Sequence, residues 1–179
     1  MAYDLSNLSV LVVDDSLHMR RIVRLLLHGL GIRSIQEAED GAVALDLFSQ
    51  NTPDLILTDW VMPVFDGIEL TRAVRDQKSS INPYTPIIML TGFAERSRVI
   101  KARDAGINEF LVKPISAREL YLRIENCVAN PRAYIKTQTF FGPDRRRFVH
   151  PNYTGKARRE SDNENEEVVE EDETDEAQV

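Results

Sequence analysis

Short apolar runs alternate along this chain with longer segments whose apolar residues recur every three or four positions. The runs at residues 8–13, 55–58, 86–90 and 107–112 are too short and too rich in β-branched residues for helices, and they predict buried strands. Between them the clearest helical spacing is Met19, Ile22, Val23, Leu26, Leu27 and Leu30, with Arg20, Arg21 and Arg24 on the opposite side. The pattern predicts strands near 9–13, 34–38, 55–58, 86–90 and 108–112, and helices near 17–30, 42–50, 67–77, 95–105 and 117–129. Gly31 and Gly106 follow helices where a left-handed cap is wanted, and Ser116 with Glu119 has capping-box spacing. Parallel strands joined by right-handed helical crossovers give an α/β, doubly wound parallel sheet with helices on both faces. Ligands of such sheets gather at the carboxyl ends of the strands.

At 179 residues the chain is long enough for one ordinary domain with an appendage. The single cysteine, Cys127, excludes an internal disulfide framework and suits a reducing compartment. No stretch approaches a membrane-spanning apolar run, and the N-terminus lacks a signal-peptide pattern. A cytoplasmic protein without membrane insertion is therefore expected. Charge divides the chain further: residues 132–159 hold eight Lys or Arg against one acid, a net +7, while residues 160–179 hold eleven acids and no base. The expected organisation is a compact domain over 1–131, a basic Arg/aromatic arm over 132–159 and a disordered acidic tail over 160–179.

Chemistry-bearing residues cluster at the predicted strand ends. Asp14-Asp15 end the first predicted strand, Asp59 the third, Thr91-Gly92 the fourth, and Lys113-Pro114 the last. An Asp pair after a strand is commonly a turn or a helix cap, and a lone Asp59 beside Trp60 reads as a loop acid. Taken together, these residues place three carboxylates and an ammonium on one edge, a setting for a hard cation and a phosphoryl group. His18, His28 and His150 show no ligand spacing, and Cys127 reads as inert.

The stretches SVLVVDDS, DLILTDWVMPVFDGIEL, PIIMLTG and EFLVKP together resemble the receiver (CheY-like) domain of two-component response regulators, over roughly residues 7–130. The resemblance implies a flavodoxin/CheY-like sheet order 2-1-3-4-5 and a stand-alone, single-domain response regulator. It implies that Asp59 is the phosphoacceptor, taking a phosphoryl group from a histidine kinase or phosphotransfer protein. Mg²⁺ would be bound by Asp15, Asp59 and the Val61 carbonyl, with Asp14 acting through water. Lys113, Thr91 and Gly92 would contact the phosphoryl group, and the peptide before Pro114 would be cis. Thr91 and Phe110 would form a switch that speaks to a downstream protein target; Phe110 stands where tyrosine is common and lacks its hydroxyl, leaving packing alone to carry the signal. No turnover activity is implied beyond self-catalysed aspartyl phosphorylation and dephosphorylation.

Phe140, Phe141, Phe148 and Tyr153 interleave with Arg145, Arg146, Arg147, Arg158 and Arg159 in the arm. One reading has the aromatics docking back on the domain, with Gly142-Pro143-Asp144 as a turn. The other makes Arg145, Arg146 and Arg147 a site for a nucleotide second messenger, by loose similarity to CheY-like effectors of cyclic di-GMP, or for another phosphate-bearing partner. DNA is not expected, since this polar segment cannot build a helix-turn-helix core. An aspartate-nucleophile phosphatase of the haloacid dehalogenase type ranks last, because the first strand ends Asp14-Asp15-Ser16-Leu17 and not in D-x-D.

Overall fold

The computed structural model describes residues 3–92, 96–137, 139–144 and 167–169. Five parallel strands form the central sheet: β1 (Ser9–Val13), β2 (Ser34–Ala38), β3 (Leu55–Asp59), β4 (Ile87–Thr91) and β5 (Glu109–Val112). Their order is β2-β1-β3-β4-β5, and every pairing is parallel. Helices α1 (Leu17–Gly29), α2 (Gly41–Gln50), α3 (Gly67–Arg75) and α4 (Arg96–Ala105) supply the crossovers, and α5 (Ala117–Val128) follows β5.

Apolar residues pointing to both faces of the strands divide into two cores. Leu11, Val13, Ile56, Ile87 and Met89 face Ala44, Phe48, Leu70 and Val74 of α2 and α3, while Val10, Val12, Leu57, Ile88 and Leu90 face Val23, Leu27, Leu120 and Ile124 of α1 and α5. Both faces are buried, which is why these strands read as continuous apolar runs. Gly31 and Gly106 take φ of 95° and 101°, and Gly31 donates to the His28 carbonyl as α1 ends. A reciprocal capping box occurs at Asp66 and Glu69. At α5 the Glu119 amide donates to Ser116 Oγ, whose hydroxyl donates back to the Glu119 carboxylate.

Beyond α5 the chain continues into β6 (Tyr134–Lys136) and β7 (Phe141–Pro143), an antiparallel hairpin. Its turn lies earlier than the Gly-Pro-Asp signal implied. Thr137 donates its amide to the Phe140 carbonyl and its Oγ accepts from the amides of Thr139 and Phe140, so the Thr side chain makes the bend and Gly142-Pro143 fall within or at the edge of a strand. Pro143 is tolerated there because β7 is an edge strand. Glu167–Val169, inside the segment expected to lack structure, forms β8, antiparallel to the other side of β6. Backbone pairing supplies what this acidic sequence cannot obtain from apolar burial.

The hairpin sits on the amino-terminal edge of β4 and β5. Tyr134 and Phe141 meet Tyr84 with ring centroids 5.0 and 5.3 Å away, and Tyr134 Oη donates to the Tyr84 carbonyl at 2.6 Å. Beneath them Arg75 is buried, donating to the carbonyls of Gly106, Pro83 and Thr85 and to Asn108 Oδ1 over 2.7–2.9 Å, with the Tyr134 ring 5.4 Å from its guanidinium carbon.

Candidate functional site

Three strand ends converge at the opposite edge. Asp14 follows β1 and is almost wholly buried; Asp15 beside it is exposed; Asp59 ends β3 and is partly buried. One carboxylate oxygen from each lies within 4.8 Å of the others. Lys113, after β5, reaches across with its Nζ 2.8 Å from Asp59 Oδ1 and 3.0 Å from Asp14 Oδ2. Its backbone amide donates to the Thr91 carbonyl at 2.8 Å, which ties the ends of β4 and β5 together, and the Lys113–Pro114 peptide is cis.

Local contacts fix Asp14 and Asp59. The Ser16 amide donates to Asp14 Oδ1 while Ser16 Oγ caps α1 through the Met19 amide. Asp59 is held from its backbone: Thr58 Oγ1 donates to its carbonyl, and Gly67 lies so close that an added Cβ would collide with that same oxygen. Burial pushes the Asp59 carboxyl above the usual carboxylate range; the Lys113 hydrogen bond and charge oppose this, and the Asp14 charge adds to it. Burial also works against the Lys113 ammonium, but its hydrogen bonds and Coulombic attraction to Asp59 and Asp14 outweigh it and hold its pKa above the ordinary lysine value. A set of close carboxylates with one ammonium between them suits a small, hard dication with oxygen ligands. The donor set therefore fits Mg²⁺.

Of the other anticipated residues, Thr91 is buried at the end of β4 and Gly92 is exposed just beyond it. Val61 stands two residues past Asp59 with an exposed side chain. Phe110 on β5 is partly buried against the α2/α3-side core. Arg145, Arg146 and Arg147 lie outside the described residues.

One neighbour escaped the sequence reading. Arg20, assigned by spacing to the solvent side of α1, folds back so that Nη1 donates to the Asp14 carbonyl at 2.7 Å and Nε faces Glu37 on β2 at 3.4 Å. Its place at the end of the first turn of α1, within reach of the loop, was the only signal available.

A five-stranded parallel sheet in the order 2-1-3-4-5, with helices on both faces and an acidic cluster at its carboxyl edge, defines the CheY-like class of α/β proteins. The response regulator receiver domain matches residues 10–125, and the chain belongs to that family. It is 39% identical over 119 residues to chemotaxis protein CheY-3 of Vibrio cholerae, covering 66% of this chain and 90% of that protein. It is 41% identical over 119 residues to chemotaxis protein CheY of Pseudomonas aeruginosa, covering 66% and 94%. Among solved structures, CheY4 of Vibrio cholerae superposes with a TM-score of 0.61 at 33% identity, covering 66% of this chain and 97% of that one. The receiver domain of sensor histidine kinase PA1611 from Pseudomonas aeruginosa, which has a magnesium ion coordinated in its active-site cleft, superposes with a TM-score of 0.62 at 29% identity, covering 69% and 98%. CheY-like receivers are signalling switches and not turnover enzymes. No described helix is long and apolar enough to cross a membrane.

Proposed function

We propose that the chain is a single-domain response regulator of the cytoplasm that accepts a phosphoryl group on Asp59 from a histidine kinase or phosphotransfer protein and signals by binding a downstream protein. The observation that carries this reading is the meeting of Asp14, Asp15 and Asp59 within 4.8 Å, with Lys113 Nζ between two of them. Asp14, Asp15, Asp59 and the Val61 carbonyl would hold Mg²⁺, which when bound neutralises the carboxylates and the transferring oxygens.

Asp59 attacks phosphorus in line; its Oδ–P bond forms as the P–N bond of the donor phosphohistidine breaks, and the departing imidazole keeps the electron pair. Lys113, already aimed at Asp59, transfers its hydrogen bond to a phosphoryl oxygen. Thr91 and Gly92 offer a hydroxyl and an amide to the others. Thr91 then moves inward and Phe110 follows, so packing relays the change to the surface. The described residues give no observation in favour of cyclic di-GMP as a ligand of the arm.

Trp60, buried next to Asp59, provides the readout. Mg²⁺ followed by beryllofluoride or acetyl phosphate should change its fluorescence, and Asp59→Asn should abolish the response to the phosphoryl donor or mimic. A wild-type chain that binds Mg²⁺ yet remains unmodified by acetyl phosphate and silent to beryllofluoride would overturn the phosphoacceptor role.

A further inference from the structure

The phosphoryl site makes no use of the outer edge of β6. One side of this strand is paired with β7; the other takes Glu167–Val169 from the acidic tail, in the register Tyr134↔Val169, Ile135↔Val168 and Lys136↔Glu167. The strand is fixed independently of that occupant. Tyr134 is bonded to Tyr84, Arg132 donates to Glu109 at 2.6 Å, and the Asp144 amide donates to the Ala133 carbonyl at 2.8 Å. A rigid strand edge is thus preformed, the situation in which an extended peptide gains main-chain hydrogen bonds without ordering its receptor.

The occupant also says what the edge selects. Exposed Lys136 lies in register with Glu167; in sequence its segment has a net charge of +7 and the tail carries eleven acids. Two adjacent valines supply strand propensity between flanking carboxylates. Among the described residues three of the tail pair with β6, a short contact maintained chiefly by the high effective concentration of a tethered segment. Such a contact yields to a competitor of the same chemistry. We infer that the outer edge of β6 is a receptor for an extended, acidic, valine-bearing peptide of a partner protein, and that the chain's own tail is its intramolecular competitor.

The test uses full-length protein and a fluorescent peptide with the sequence of residues 164–172. In an antiparallel pair only alternate residues donate inward, so V168P/V169P removes at least one inward donor in either phase. This variant should keep the wild-type melting temperature and bind the peptide at least about tenfold more tightly than wild type does, because no tail competes. Adding Lys136→Glu should cancel the gain, and a peptide with proline at both valine positions should fail to bind. The inference is overturned if the two proteins bind the peptide equally or not at all, or if the proline peptide binds as well, which would reduce the contact to charge attraction. A wild-type chain that sediments as a tail-dependent dimer would place a second copy, and not a partner, on this edge. Because Asp59 is untouched, these outcomes do not depend on the phosphoryl chemistry.

Discussion

The two edges of one sheet handle charge in opposite ways. At the carboxyl edge charge is gathered: three carboxylates crowd together, and a single ammonium offsets part of their repulsion. At the amino edge one guanidinium, Arg75, is buried among neutral acceptors, four carbonyl-type oxygens and a tyrosine ring. Burial lowers the Arg75 pKa from its ordinary value, but guanidinium remains charged and its donors are met. One edge leaves electrostatic need for a ligand to fill, while the other satisfies it internally and holds α3, β4, β5 and the hairpin together. Charge alone does not mark a site; unmet charge does.

Arg75→Met should break the second edge most severely, since the Gly106, Pro83 and Thr85 carbonyls lose their guanidinium donor and Asn108 Oδ1 keeps only the Ile87 amide. A loss of about 3 kcal/mol in denaturant unfolding is expected, with the beryllofluoride response preserved wherever the variant stays folded. Mg²⁺ at about a hundred times its Kd should stabilise wild type by about 2.7 kcal/mol, an increment that EDTA removes and that Asp15→Asn and Asp59→Asn shrink. Lys113→Met should cost about 1 kcal/mol in unfolding while abolishing the beryllofluoride response, the converse of the Arg75 variant. Tyr134→Phe removes one hydroxyl from the Tyr84–Asn108 link and should cost about 1 kcal/mol, with no change at the carboxyl edge. The smallest effect belongs to Cys127, whose thiol burial pushes up to about 12. Because the folded pKa lies above the ordinary 9.0, stability from this group is complete below pH 9 and declines only as pH rises from there toward 12. At pH 8 the native protein should leave a disulfide reagent such as DTNB unreacted until denaturant is added.

Elements with a strong period were legible to within a residue or two. The strand at 55–58 and the helix starting at 17 are observed as Leu55–Asp59 and Leu17–Gly29, because both sheet faces are buried and each helix carries a single apolar stripe. The acid cluster was legible too, since each member ends a strand. Arg20 and Arg75 were not. A helical wheel assigns a residue by its Cα, whereas a guanidinium on a long stem can return to a loop or pass beneath a neighbouring strand. The hairpin was obscured for a different reason: the +7 block in which it begins read as an arm, and Tyr134, Ile135 and Phe141 form runs too short to show a period.

Gly67 has no reactive atom and stands eight positions after Asp59 in the chain, yet its bare α-carbon rests against the aspartate's own carbonyl. Any methyl group there must lift the end of β3 and tilt the Asp59 carboxylate away from Lys113 and from the neighbouring acids. In a functional mutational scan, Gly67→Ala would therefore score among the acids themselves, an inactive variant whose missing chemistry lies entirely in a displaced backbone.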